Sequence, residues 1–271
     1  MYTYIIATRR EDLRELKRLI KSLKPYLQSK DEILAVQDGG KKIWTKELGV
    51  QVISKRHAGI GNSFDVGVNK AKNDYVVLLG SDLIFQSDPR AHLSKAQTEN
   101  SIVCFGCKAL NKKQTMWGAD IAETSGGRIY QATWRYKATG KFYQIPCVLG
   151  GAYLVKKDWY QEIKGFSGHW IWGSLEPLIS LRSYMAGGSC KVYTDYSIVH
   201  DFRRSNTRAL KLPVAMVYNQ LLIDNYFKTS IAYKLKIHSW LKGKADAMLP
   251  EKLTYKLSAE EAYKKMKSKA L

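Results

Sequence analysis

Apolar runs and polar stops alternate along the first third of the chain. Residues 2–8, YTYIIAT, form a β-rich run that ends in charge. Leu13, Leu16, Ile20 and Leu23 then recur at helical spacing within EDLRELKRLIKSL, which predicts an amphipathic helix. Thr8 is its expected cap, with acids in the first turn. EILAVQDGG and VQVISKR read as the second and third strands, GIGNSFDVGVNKAK as a loop entering a helix, and NDYVVLLGSD as a fourth strand. This alternation predicts an α/β fold with a mostly parallel central sheet flanked by helices. Ligands of such sheets lie beyond the carboxyl ends of the strands. Asp38 and Asp82 both fall at that edge. Asp82 is the sharper case, because YVVLLGSDLIF sets its carboxylate among apolar residues, where an ionised acid needs a partner.

The pattern loosens between Cys104 and Cys147. Gly, Thr and aromatic residues without a helical period predict hairpins or long loops over the site. GGAYLVKKDWYQEIKGF then gives a Gly-Gly turn, a short strand and a helix start. LEPLISLRSYMAGG reads as a helix closed by Gly187 and Gly188, and KVYTDYSIVHDFR as a final strand pair carrying His200. Beyond Asn206 the segments become basic and helical, so the chain divides into residues 1–205, the sheet domain, and 206–271, a basic helical C-terminal extension.

Charge changes the picture of the partners. Among 271 residues, 44 Lys and Arg face 24 Asp and Glu, a formal net charge of +20. Thirteen basic and five acidic residues in 206–271 leave +8 there and +12 on the rest. The excess is therefore spread over the whole chain, which favours a polyanionic partner over a solvated lysine surface. The four cysteines include one CxxC, Cys104 and Cys107, with no second pair at zinc spacing, and reduced structural thiols are the expectation. The N-terminus lacks the pattern of a signal peptide, and no run approaches the ~20 apolar residues of a transmembrane span. A cytoplasmic setting is expected, with contact at a membrane surface as the variant.

The ordered set VQDGG, RHAGIGNSFDVGVNKA, LGSD, GGAYLVKKDWYQEI, WGSLEP and VHDFR resembles the GT-A glycosyltransferases, family 2 and the polypeptide N-acetylgalactosaminyltransferase-like members. The resemblance implies a GT-A, Rossmann-like domain over residues 1–205. It also implies transfer of a hexosyl or N-acetylhexosaminyl group from a nucleotide-diphosphate sugar, a UDP-sugar, with Mn²⁺ or Mg²⁺. LGSD stands at the family's metal-binding Asp-X-Asp, with Gly80 replacing the first acid. Asp82 and His200 are thus the implied metal ligands, a hard oxygen and an imidazole that suit Mn²⁺. Glu176 is the implied acceptor-side acid, the base that an inverting enzyme requires; a carboxylate favoured at a helix start is the competing use. Thr8, Asp38, Asp65, Ser81 and Arg203 are the implied nucleotide-binding residues, although Asp38 in Asp-Gly also suits a plain turn. Gly150, Gly151, Trp170 and Trp172 are the implied substrate-binding positions, both Trp being equally suited to a core.

The acceptor is not fixed by the resemblance. A spread positive charge suits DNA carrying hydroxymethylated pyrimidines, bound through its phosphates. A lipid-linked saccharide or polysaccharide at an anionic membrane is the alternative. A non-catalytic polyanion-binding module is the reading from another class.

Overall fold

The computed structural model describes residues 1–9, 12–40, 48–122, 131–202, 211–224, 226 and 255–269. In chain order, β1 (Tyr2–Thr8), α1 (Leu13–Leu23), β2 (Glu32–Asp38), β3 (Gln51–Lys55), α2 (Ile60–Lys70) and β4 (Tyr75–Gly80) form the first half-sheet and its helices. β5 (Leu83–Ile84), α3 (Arg90–Ala96), β6 (Ser101–Ala109), β7 (Thr115–Met116), β8 (Ala119–Ala122), β9 (Gln131–Trp134) and β10 (Phe142–Ile145) follow. β11 (Ala152–Lys156), α4 (Lys157–Glu162), α5 (Leu175–Met185), β12 (Ser189–His200), α6 (Lys211–Asp224) and α7 (Ala259–Lys267) complete the described elements.

The main sheet runs β10-β12-β6-β11-β4-β1-β2-β3, with β5 paired to β12 and β7 to β6. β3, β2, β1 and β4 are parallel. β11 is antiparallel to β4 and to β6, and β12 returns parallel to β6. The expected α/β sheet is therefore present; β3-β2-β1-β4 are its parallel half, while β11, β10, β5 and β7 each run antiparallel to their partners. Its inner strands β1 and β2 are buried almost throughout, as continuous apolar runs in a sheet covered on both faces must be. β3 is half-exposed, as an edge strand. α1 buries Leu16, Leu19, Ile20 and Leu23 against one face, about 1.5–3 kcal/mol for each.

Two local expectations change. The first helix begins at Leu13 with Asp12 at its N-cap, not at Thr8. Thr8 stays in β1, paired with Gln37, and its hydroxyl donates to the Arg9 carbonyl at 3.2 Å. The strand pair expected in KVYTDYSIVHDFR is also a single strand, β12, which ends at His200. The register of β12 against β6 slips between Tyr193 and Ser197, so an irregularity absorbs Thr194, Asp195 and Tyr196 where the sequence suggests a turn.

The described part of 206–271 shares the main core. Leu222, Ile223, Ala259, Ala262 and Met266 lie in the same buried cluster as Cys104, Tyr153 and Val155. The interleaved aromatics of the basic extension, Tyr226, Phe227, Tyr233 and Trp240, suit stacking on nucleic-acid bases by type, with helical core packing the commoner use, and Tyr226 is held by Arg182, whose Nε donates to its hydroxyl at 3.0 Å. Phe227, Tyr233 and Trp240 lie outside the described residues. All four cysteines are free and buried, and burial pushes the Cys104 thiol up to about 12. Among the described residues, no helix is long and apolar enough to cross a membrane.

Candidate active site

Asp82 and His200 meet at the carboxyl edge of the sheet. The antiparallel pair β5–β12 sets His200 opposite Leu83, and the Asp201 amide donates to the Asp82 carbonyl at 3.0 Å. This register brings His200 Nε2 to 3.1 Å from Asp82 Oδ2. Arg18 on α1 braces the same corner, its Nη2 donating to Asp201 Oδ2 at 2.7 Å. Phe202 lies over the His200 ring, with centroids 3.9 Å apart, and is itself exposed. It was not singled out from the sequence, although it stands in the VHDFR segment.

The pair fits a divalent cation. Adjacent corners of an octahedron with bonds of about 2.1 Å lie about 3 Å apart, which matches the observed separation. Among the described residues no third His, Cys, Asp or Glu completes a cluster, so the remaining positions fall to ligand oxygens. Cys107 Sγ lies 3.8 Å from His200 Nδ1, a weak contact on the far side of the ring.

Glu176 sits on the first turn of α5. The Tyr153 hydroxyl donates to its Oε1 at 2.8 Å and accepts from the Gly151 amide at 3.1 Å. Burial pushes the Glu176 carboxyl above its ordinary range, against the opposing pull of the Tyr153 hydrogen bond. Gly150 and Gly151 form the turn between these groups, with φ of +124° and +80°, a region that strongly favours glycine. A Cβ on Gly151 would stand 3.7 Å from His200 Cε1, so this turn flanks the Asp82–His200 pair.

The nucleotide-side candidates separate. Thr8 and Ser81 are buried at the same strand edge. Asp38 is there too, but its oxygens are engaged internally. They meet Lys55 Nζ at 2.5 Å, His57 Nδ1 at 2.7 Å, the Ala58 amide at 2.8 Å and the Gly59 amide at 3.0 Å. Burial alone would raise its pKa, but Lys55 and these amides outweigh it and hold the carboxyl below its ordinary value. Asp38 is thus committed to the loop entering α2. Asp65 also departs from expectation. It accepts from the Tyr160 hydroxyl at 2.6 Å and from the Phe166 amide at 2.9 Å, which ties α2 to α4 and the segment after it rather than leaving a free carboxylate for a donor. Burial raises its pKa. Arg203 lies outside the described residues.

Trp170 and Trp172 lie on a strained loop before α5. Ile171 has φ +53° and Ser174 φ +56°, conformations that cost about 1–3 kcal/mol each outside glycine. Backbone bonds hold Ile171 in place, its amide to the Ala58 carbonyl and its carbonyl to the Ile60 amide, both at 3.2 Å. Gly59 permits this approach, since a Cβ there would come within 2.4 Å of the Ile171 backbone. Trp172 is 50% exposed and available to a ligand. Trp170 packs edge-on against Tyr218, with centroids 5.5 Å apart.

The loop's main anchor is Asn219 of α6, which is fully buried. Its Oδ1 accepts from the Trp170 amide at 2.9 Å, and its Nδ2 faces the carbonyls of Trp170, Trp172 and Gly173 at 2.8–3.0 Å. His169 adds a bond from Nε2 to the Gly173 carbonyl at 2.8 Å, and burial brings its pKa down to about 4. Asn219 was not read as a site residue; the available signal is an amide inside the apolar run AMVYNQLLID. Asn219→Ala should destabilise the protein by about 2–3 kcal/mol, because buried backbone groups lose their partner. Amide hydrogen exchange should quicken across 168–174, and unchanged exchange there would remove Asn219 as the anchor.

The mixed central sheet flanked by helices is that of the GT-A class of fold. The chain is similar to the crystal structure of GalNAc-T7 with UDP, GalNAc and Mn²⁺, at 16% identity and a TM-score of 0.69. That match covers 99% of this chain and 56% of the other, so this chain spans little more than half the length of that neighbour. It is also similar to Staphylococcus aureus (S. aureus) TarS 1–349 in complex with UDP-GlcNAc, at 11% identity and a TM-score of 0.55, covering 92% and 70%. The mannosyltransferase PcManGT from Pyrobaculum calidifontis, with GDP-Man and Mn²⁺, matches at 12% identity and a TM-score of 0.54, covering 91% and 73%. No curated protein matches the chain. Residues 3–164 match glycosyl transferase family 2, and the chain belongs to that family.

Proposed function

We propose that the protein transfers a sugar from a nucleotide-diphosphate sugar, a UDP-sugar, to a hydroxyl acceptor with the help of Mn²⁺ or Mg²⁺. The observation that carries this reading is the Asp82–His200 pair, 3.1 Å apart, at the sheet edge where nucleotides bind in such folds. A cation held there would neutralise charge that builds on the leaving diphosphate. Asp82 and His200 hold it. Glu176, raised by burial, takes the proton of the acceptor hydroxyl. Thr8 and Ser81 border the nucleotide, Gly150 and Gly151 leave room beside His200, and exposed Trp172 offers a face to a sugar ring. The similar structures that contain UDP with GalNAc, UDP-GlcNAc and GDP-Man support a nucleotide-diphosphate-sugar donor.

The acceptor follows from charge. The net +20 is spread over both segments of the chain, which supports a long polyanion, and hydroxymethyl-pyrimidine DNA supplies both phosphates and a free hydroxyl. Labelled sugar from a panel of UDP-sugars, with Mn²⁺, should pass to hydroxymethyl-pyrimidine DNA and not to unmodified DNA. Transfer to lipid-linked saccharide instead would replace DNA with the membrane acceptor. No Mn²⁺-dependent binding or hydrolysis of any sugar nucleotide would overturn the enzymatic reading in favour of a polyanion-binding module.

A further inference from the structure

Between Glu176 and the turn beside His200 stands Tyr153. Successive residues of β11 face opposite layers, so Ala152 and Leu154 enter one buried cluster while Tyr153 and Val155 enter the other. Tyr153 is 1% exposed. Its hydroxyl oxygen accepts from the Gly151 amide at 3.1 Å, and its proton goes to Glu176 Oε1 at 2.8 Å. An amide only donates and an ionised carboxylate only accepts, so the phenol proton has one direction open to it. The Gly151 carbonyl in turn accepts from the Gly80 amide at 2.9 Å, two residues before Asp82. A hydrogen-bonded chain therefore runs from the strand that delivers Asp82, through Gly151 and a buried ring, to Glu176.

We propose that Tyr153 is a positioning residue for sugar transfer: its hydroxyl fixes the orientation of the Glu176 carboxylate and ties it to the turn that flanks Asp82 and His200. This rests on the reading of Glu176 as the proton acceptor. The groups that face Glu176 are Tyr153 on β11, His200 on β12 and Cys147 before β11. Burial disfavours the ionised carboxylate, and the Tyr153 bond favours it. The Cys147 thiol, held well above its ordinary range by burial, stays neutral. Among the described residues, the Tyr153 hydroxyl is thus the neutral side-chain group that both orients Glu176 and favours its ionised, proton-accepting form.

Tyr153→Phe removes the hydroxyl and keeps the ring. With carboxyl-¹³C glutamate, and Glu176→Gln to identify the signal, the NMR midpoint of Glu176 should rise by about one unit. Hydrolysis of UDP-GlcNAc or UDP-GalNAc with Mn²⁺ moves a water proton to Glu176 as the water oxygen bonds the anomeric carbon and the diphosphate departs. In Tyr153→Phe its kcat should fall about tenfold, its acid limb should shift upward with the midpoint, and KM should hold. Mn²⁺ binding, read by paramagnetic resonance, should be unchanged. The same substitution in a Glu176→Gln background should cost nothing more. An unmoved Glu176 midpoint in Tyr153→Phe overturns the proposal. Full turnover in Glu176→Gln overturns the proton-acceptor reading instead, a separate failure. Should Tyr153→Phe not fold, the unaltered chain still decides. Its Tyr153 hydroxyl proton should resonate downfield and vanish in Glu176→Ala, and persistence there also overturns the proposal.

Discussion

Asp82→Ala and His200→Ala are each expected to lower Mn²⁺-dependent turnover of a UDP-sugar by about 10³-fold, with little change in melting temperature. The size follows from the donor count. Asp82 and His200 stand together at this edge, and among the described residues no third His, Cys, Asp or Glu joins them in a cluster, so each substitution halves the protein's hold on a cation. Charge stabilisation by such a cation amounts to several kcal/mol in the transition state, and each 1.36 kcal/mol is tenfold in rate. The double substitution should therefore cost hardly more than either single one, as groups that act as a unit are strongly non-additive. Stability should follow a different rule. Asp82 is 31% exposed, and an ion pair that reaches solvent contributes about 0–1 kcal/mol. Raising Mn²⁺ should partly restore His200→Ala, which keeps the carboxylate. The measurement is initial rate against Mn²⁺ concentration for each variant, beside a thermal melt. Rates within twofold of the unaltered protein in both variants would sink the assignment of this pair.

The strands around this pair were legible because their signal is local. YTYIIAT, EILAVQD, YVVLLG and AYLVK are apolar runs, and each becomes a buried strand of the main sheet. The Asp82–His200 meeting was legible only through the order of motifs, since a two-residue ladder between β5 and β12 creates it. What the sequence hid depends on direction rather than on residue type. Asp38 stands at the sheet edge as expected, yet its oxygens turn toward the 55–59 loop. No local pattern distinguishes that from an oxygen facing a ligand. Asp65 lies on α2 as read, but its partners come from Tyr160 and Phe166. Asn219 was hidden for the same reason, because its partners belong to a loop that precedes it by a strand and a helix.

Asp38→Ala is expected to destabilise the fold by about 3–5 kcal/mol, the usual consequence of breaking a buried charged pair from one side. Lys55 is 11% exposed and Asp38 6%, so removing the carboxylate leaves a largely buried ammonium without its counter-charge and orphans the Ala58 and Gly59 amides. Asp38→Asn should retain part of the amide bonding and lose less. The effect has a pH signature. The folded carboxyl is held below its ordinary value, so its contribution is complete above the unfolded pKa of about 4 and is lost as pH falls through the folded value. The stability gap between the unaltered protein and Asp38→Asn should be full at pH 7 and narrow below about pH 4. Urea melts at stepped pH measure this directly, and a gap that stays constant down to pH 3 would contradict it. Activity should fall as well, for a reason that lies in the loops. Asp38 fixes Ala58 and Gly59, and their neighbours Ala58 and Ile60 hold the strained Ile171 by backbone bonds. Once that support loosens, the segment carrying Trp172 and leading into Glu176 loses one of its anchors and depends on Asn219 and His169.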